Sequence, residues 1–371
     1  MDIRSPVNIL TRYELWPMLI DDYWFTETAL FSRLRDNIEP FTGGQFTKSI
    51  FRYRSLPSFS YRMGSSWDIT KVPTLGEQNF PMKYYICNVP EFLEELEVIN
   101  KGPNADFSIL DEDLSNGLAS ISNNVAVNFF DDAVDDSTAI DGLGLAIGDG
   151  TLPNWKGNII TSYGGASRSG TYGNILNGQI WWFGNENGGV AAPTLLKMGA
   201  AYRSLCRGPI EPNLIVTTKW AHELCLNEIN TMYRADQSVQ DPYWGGSGFK
   251  FRNAIVVADE YAPSAQNGLT DSENFGLGNF KTGSFTNTLA GTPKNNFPNS
   301  TAAPTLTVGE TMWFLNTDWM RLRISDSEEF GFGFSGFMQL PDSTKVNGQI
   351  KAAINGILNG GRYQGMAYGI G

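Results

Sequence analysis

A single histidine, His222, and three cysteines are all that this 371-residue chain offers of the side chains that most often carry catalysis or hold transition metals. One imidazole excludes every multi-histidine metal site, and any His-dependent triad would have to pass through His222. That residue stands in Trp220-Ala221-His222-Glu223-Leu224 on an expected helix, with no GxSxG-type nucleophile turn anywhere in the chain, so it reads as structural. Cys87, Cys206 and Cys225 are odd in number and far apart, which fits reduced thiols in a cytosolic chain better than a disulfide framework or a CxxC redox pair. Basic residues are also scarce. Against 39 Asp plus Glu there are 27 Lys plus Arg, a formal net charge of -12, which argues against a dedicated nucleic-acid binder. No window holds 18 uncharged apolar residues, and residues 1–25 lack the basic head, apolar stretch and small-residue cleavage site of a signal peptide, so a soluble cytosolic product is expected.

What is abundant points to a folded, turn-rich chain. Apolar residues make up 41%, aromatics 13% and charged residues only 18%, which excludes disorder of the whole, and 40 glycines with 18 prolines imply many turns and strands. Residues 7–38 read as helical in two pieces, capped by Ser5 and Pro6 and split at Pro17. Their aromatic content, including Trp16, Tyr23, Trp24 and Phe25, calls for a cover, for which a neighbouring chain is one candidate. Residues 46–100 then alternate, setting Phe51, Tyr53, Phe59 and Tyr61 against Arg52, Arg54, Ser60 and Arg62, with a break at Pro57. They are expected to form a long two-armed hairpin. Its first arm carries Lys48, Arg52, Arg54 and Arg62, and the segment after the second carries Glu91, Glu94, Glu95 and Glu97; opposite charges on separate elements suit docking within or between subunits.

The strongest helix signal covers 105–132. Phe107, Leu110, Leu114, Leu118, Ile121, Val125 and Phe129 recur in steps of three and four, an apolar stripe running about six turns at 3.6 residues per turn. Asp106, Asp111, Glu112 and Asp113 cluster at its N-terminal end, where the helix dipole favours anions. Gly117 would cost about 1 kcal/mol relative to Ala inside a helix, and a close approach of another element would account for it. Residues 133–190 are rich in turn formers; 193–207 reads as a helix; 212–233 reads as strand, Thr cap and helix; and 249–258 as one strand. The polar stretch 262–310 is expected to be a surface insertion, and strands return at 309–324 and 331–340. No period of 20 to 50 residues recurs.

Chemical motifs are weak throughout. Gly142 and Gly144 do not complete GxGxxG, and 131–142 lacks the alternating ligands and terminal Glu of a calcium loop. The sequon Asn299-Ser300-Thr301 is read as accidental. No catalytic, cofactor-binding or metal site is assigned, and no cofactor is expected. Exposed Trp and Tyr side chains could build a sugar platform, which keeps a carbohydrate-binding or glycoside-hydrolase-like protein as the rival reading.

The order of N-terminal arm, long hairpin, long helix, Gly-rich α/β region and returning strands resembles the major capsid proteins of tailed bacteriophages, the Hong Kong 97 fold, an α+β architecture. The segments that carry the resemblance are ADFSILDEDLSNGLASISNNVAVNFF followed by AIDGLGLAI, PNLIVTTKWAHELCLNEI with FKFRNAIVVADEYAP, and GETMWFLNTDWMRLRI through KAAINGILNGGRYQGMAYGI. The resemblance implies an N-terminal arm over 1–45 and an E-loop over 46–100. It implies a peripheral domain from 101–136 and 311–345 containing a spine helix, and an axial domain from 137–310 and 346–371. It also implies a structural role: hexamers and pentamers of this chain closing an icosahedral shell around packaged double-stranded DNA, without sequence-specific DNA contact and without a membrane. The expected partners are a separate scaffolding protein, a portal and a decoration protein. The expected location is the virion, after assembly in the host cytoplasm. No motif permits transfer of the cross-linking Lys, Asn and Glu found in some members.

Overall fold

The computed structural model describes residues 28–34, 37–66, 70–92, 109–134, 136–156, 158–183, 194–232, 238–240, 247–259, 261–263, 285–286, 305–306, 310–339 and 344–370. In chain order the elements are α1 (Ala29–Leu34), β1 (Ile38–Phe41), β2 (Phe46–Arg52), β3 (Leu75–Pro81), β4 (Lys83–Phe92), α2 (Ile109–Phe130), α3 (Leu143–Ala146), β5 (Ser162–Tyr163), β6 (Ala166–Ser167), α4 (Gly173–Leu176), β7 (Gln179–Trp182) and α5 (Thr194–Leu205). There follow β8 (Leu214–Thr217), α6 (Lys219–Met232), β9 (Ser238–Gln240), β10 (Ser247–Phe251), β11 (Ala254–Ala258), β12 (Phe285–Thr286), β13 (Thr305–Leu306), β14 (Glu310–Leu315), β15 (Met320–Ser325), β16 (Gly331–Gln339), β17 (Lys345–Leu358) and β18 (Gly365–Ile370).

Strand β17 organises the first of two large sheets. Its 14 residues pair antiparallel with β4 along 345–354, with β16 along 346–352 and with β15 along 354–358, while β1 adds parallel to β15. Because side chains alternate across a strand, Val346, Gly348, Ile350 and Ala352 turn inward together. Helix α2 lies on that face, and Leu114, Leu118, Ile121, Val125 and Phe129 of its stripe are buried in the same core as Ile350 and Ile354. The helix ends at Phe130 rather than at the expected 132; Phe107 lies outside the described residues, and Leu110 lies in the helix with its side chain undescribed. The close approach sought for Gly117 is present. A Cβ there would stand 2.8 Å from Ile350 Cδ1 and 3.5 Å from both Cys87 Sγ and Val89 Cγ2, so glycine lets the helix settle onto the sheet.

The second sheet runs β7-β18-β14-β8-β11-β10-β9 and is covered on both faces. Ile215, Val256, Met312 and Phe314 meet Met198, Tyr202, Leu205, Ala221 and Cys225 of α5 and α6. The alternate residues Leu214, Val216, Trp313 and Met366 join the core that holds α2. The expected strand-cap-helix unit is present as β8, Thr218 and α6, with the Ala221 amide donating to Thr218 Oγ1 at 3.3 Å. Its strand is buried on both faces, which is why four consecutive apolar or small residues suit it.

Several boundaries differ from those expected. Residues 28–45 are not a free arm, since Ala29, Leu30, Phe31 and Leu34 are at most 1% exposed and β1 is part of a sheet. The hairpin is β2 with β3 alone, and β4 crosses into the first sheet instead of extending it. Strand β14 belongs to the second sheet and β17 to the first, so each sheet draws strands from both sides of the limits expected at 311 and 346. Residues 249–258 form two antiparallel strands turning at Arg252 and Asn253. Of the expected insertion, Ala262, Pro263 and Glu310 are buried at its roots, β12 pairs with β13, and the rest lies outside the described residues.

Where α2 ends, buried polar groups tie it to the loop that bears on the second sheet. Asp132 accepts Nδ2 of Asn154 at 2.8 Å and of Asn158 at 2.7 Å, and Lys156 pairs with Asp131 and lies 3.8 Å from Asp132. Burial pushes the Asp132 carboxyl up, but the two amides and the lysine outweigh it and hold the group below the usual carboxylate range. Between the two asparagines, Trp155 sets its ring edge-on to Trp313 at 5.2 Å. Among the described residues no helix is long and apolar enough to cross a membrane.

Two outcomes are expected. Leu118→Asp places an unpaired carboxylate in the α2 interface and should cost several kcal/mol, enough to remove much of a domain's roughly 5–15 kcal/mol, so the variant should be recovered insoluble or unfolded by circular dichroism. His222 is buried against Phe249, and burial lowers its pKa, so the unfolded chain takes a proton first as pH falls through about 6.5. His222→Leu should therefore lose less of its urea midpoint between pH 7.5 and pH 5 than the native chain does; equal losses would contradict this account.

Candidate assembly surface

The β2–β3 hairpin has a fixed root and an open end. At the root, Gln78 Nε2 donates to the Tyr163 carbonyl at 3.1 Å, the Asn79 amide donates to the Gly164 carbonyl at 2.8 Å, and Ser49 Oγ lies 2.6 Å from Asn359 Oδ1. Phe80 packs on Tyr163, with ring centroids 4.9 Å apart. Beneath that ring, the buried guanidinium of Arg168 donates to the carbonyls of Leu145 at 2.7 Å and Ala146 at 2.8 Å, and also to Gly148. Burial lowers its pKa to about 10, which leaves it charged at neutral pH. The inward side chains Phe51 and Tyr53 meet the edge of Tyr172 at 5.5 and 4.8 Å, and the last cross-strand bond runs from the Tyr53 amide to the Thr74 carbonyl at 3.1 Å.

Past that bond the chain leaves its own core. Every residue from 54 to 66 is exposed, including Leu56 at 71%, Tyr61 at 71% and Met63 at 98%. On the outward face of the arms Phe46, Ile50 and Leu75 are exposed as well, interleaved with Lys48, Arg52 and Arg54. A projecting, apolar, cation-flanked surface of this kind is the signature of protein–protein docking.

The charged residues singled out from the sequence fall into distinct places. Lys48 pairs with Glu77 of its own hairpin at 3.1 Å, with both side chains 59% exposed, a contact worth about 0–1 kcal/mol. Arg52, Arg54 and Arg62 are exposed and make no ion pair among the described residues. Glu91 is 7% exposed and faces inward on β4, opposite Val346. Glu94, Glu95 and Glu97 lie outside the described residues.

A second open surface went unread in the sequence. The face of the first sheet turned away from α2 exposes Tyr84 and Ile86 beside Phe92, with Lys345 Nζ 5.3 Å from the Phe92 ring and Lys351 Nζ 5.7 Å from the Phe330 ring. Asn88 Oδ1 accepts from Asn347 at 3.4 Å and from Gln349 at 3.3 Å across the same face. The signal was present in the alternation of Tyr84, Ile86, Asn88 and Pro90, but which face was covered depended on where α2 lay.

Among the described residues no three His, Cys, Asp or Glu side chains are placed to hold a metal ion. Burial pushes the Cys225 thiol up to about 12 and raises Cys206 and Cys87, so none is an activated nucleophile.

No family model and no curated protein sequence matches the chain. Solved structures do. The capsid asymmetric unit of cyanophage A-1(L) superposes with a TM-score of 0.58 at 12% identity, covering 94% of each chain. The mature capsid of bacteriophage PhiM1 gives 0.52 at 8% identity, covering 90% of this chain and 86% of that one. The SrpI encapsulin of Synechococcus elongatus PCC 7942 gives 0.50 at 8%, covering 90% and 85%.

The root of the hairpin is open to test. Tyr172→Ala removes two edge-on aromatic contacts, each worth about 0.5–1.5 kcal/mol, and should speed exchange of the Tyr53 amide while that of Val125 in α2 stays slow. Unchanged protection at Tyr53 would show that Tyr172 does not brace the hairpin.

With two large sheets, one long helix and a projecting hairpin in an arrangement that spans nearly the full length of phage capsid subunits and an encapsulin, the chain has the Hong Kong 97-type shell-protein fold.

Proposed function

We propose that this chain is the major capsid protein of a tailed bacteriophage, a structural subunit without catalytic activity that assembles into hexamers and pentamers of an icosahedral head. The observation that carries the reading is the β2–β3 hairpin, whose apolar end is left uncovered by its own chain on a fold shared with capsid subunits. In this reading β2–β3 is the E-loop laid over a neighbouring subunit, and α2 with the first sheet is the peripheral domain and its spine. The second sheet with α5 and α6 is the axial domain. Arg52, Arg54 and Arg62 are proposed to meet acidic surface on the neighbour.

A net charge of -12 supports containment of double-stranded DNA, because an acidic lining holds phosphates weakly and leaves the packaged genome free to slide. A separate scaffolding protein, a portal and a decoration protein are proposed partners, with assembly in the host cytoplasm and residence in the virion.

Negative-stain electron microscopy of the co-expressed protein tests this. Closed shells, or rings of five and six, are expected from the native chain. Arg52→Glu with Arg54→Glu should fold, since both side chains are exposed, yet yield few shells at low salt. A native chain that stays monomeric under all assembly conditions overturns the proposal, and full shell yield from the double variant overturns the role given to the arginines.

A further inference from the structure

The tight turn between β10 and β11 contains a feature that the fold alone does not require. Arg252 adopts φ 56°, a left-handed conformation that two-residue hairpin turns usually give to Gly, Asn or Asp. An arginine there is held in place. Its guanidinium carbon lies 5.2 Å from the Tyr202 ring and 5.7 Å from the Phe251 ring. Tyr202 is itself locked: its hydroxyl donates to Glu211 Oε2 at 3.0 Å, lies 3.3 Å from the Pro212 carbonyl, and accepts a backbone hydrogen bond from Asn253.

A second exposed arginine shares the spot. Arg203 Nε donates to the Gly199 carbonyl at 3.3 Å, and a Cβ at Gly199 would stand 3.5 Å from Arg252 Nη2, so the two guanidiniums flank one point on α5. Arg207 follows just past the helix end and is also exposed. Of the neighbouring acids, Glu211 takes the Tyr202 proton, and neither Arg203 nor Arg252 forms an ion pair among the described residues. A planar fork fixed on two aromatic rings beside a second arginine is a preorganised receptor for carboxylates.

We propose that the Arg203–Arg252 pair is an interaction site for the acidic loop Asp326–Glu329 of a second copy of the chain. This builds on the assembly reading only in taking the partner to be another copy. The loop joins β15 to β16 and carries three exposed carboxylates, Asp326, Glu328 and Glu329, within four residues. Its shape is fixed as well. The Asp326 amide donates to Phe41 at 3.3 Å, the Gly331 amide donates to Ser327 at 2.8 Å, and Gly333 packs so closely on the Glu328 carbonyl that no side chain could stand there. A rigid acidic knob and a rigid arginine pair lie on different sheets of one molecule. Where that mating is not reciprocated between the same two copies, it is a heterologous, head-to-tail contact, the kind that generates rings.

The test is self-association of the purified full chain by sedimentation velocity at low salt, independent of whether shells close. Three variants are compared: Arg203→Glu with Arg252→Glu, Glu328→Arg with Glu329→Arg, and Arg252→Gly. Each charge-reversed variant alone should associate at least tenfold more weakly than the native chain, and an equimolar mixture of the two should recover association. Arg252→Gly relieves the positive φ and should keep or raise the thermal midpoint while weakening association. If the mixture stays as weak as its components, or if Arg252→Gly associates like the native chain, the proposal is wrong. A native chain that associates with itself yet never closes shells would overturn the capsid reading and leave this one standing.

Discussion

Everything in this molecule is registered against one continuous strand, Lys345–Leu358, and against the requirement that a 22-residue helix lie flat on it. A helix can approach a sheet that closely only where bulk is missing on both sides. Gly117 removes it from the helix. On the strand, Gly348 makes room for the ring of Phe334, and a Cβ at Gly356 would stand 2.7 Å from Phe129. With the spacing set, Leu114, Leu118, Ile121 and Val125 fill the interface, as the dense packing of protein interiors demands. The same core extends through Phe130 and Trp155 to Trp313, so the two sheets share one interior.

That shared interior explains why the hairpin can reach out. A two-stranded ribbon is marginal in water by itself. Here its inner face is braced by Tyr163, Tyr172 and Asn359, side chains drawn from parts of the sequence far from β2 and β3. The brace stops at Tyr53, and beyond it every residue to 66 is exposed. Rigidity at the root together with exposure at the end is what an interlocking element needs, since a floppy ribbon would lose more conformational entropy on docking.

Much of this was legible in the sequence, and the reasons for what was not are specific. The α2 stripe was readable because its period is local and all of its buried members face one way. The β8–α6 unit was readable for the same reason, through Leu214–Val216 and the cap at Thr218. The partners of β4 and β14 were not, because pairing is settled between residues far apart in the chain and nothing in KYYICNVPEF names Lys345–Leu358 as its neighbour. The turn inside FKFRNAIVVA was hidden because it uses Arg252 where the left-handed position would ordinarily announce itself with glycine. Of the charged candidates, the exposure of Lys48 and Arg52 followed from strand alternation, Arg54 and Arg62 lie past the end of β2 where every residue is exposed, and the burial of Glu91 depended on which face of β4 the helix took.

The path of the chain through the second sheet bears on how the protein can be made. Strand β18 lies inside that sheet, between β7 and β14, and reaches it only after the chain has left for the first sheet and returned. During synthesis β7, β8 and β14 emerge with that slot unfilled, and Ile180 and Trp313 wait for Met366 and Ala367 to cover them. A ribosome must therefore pass residue 367 before the sheet can close. Nascent chains stay open until that strand has emerged, with the slot between β7 and β14 waiting for it.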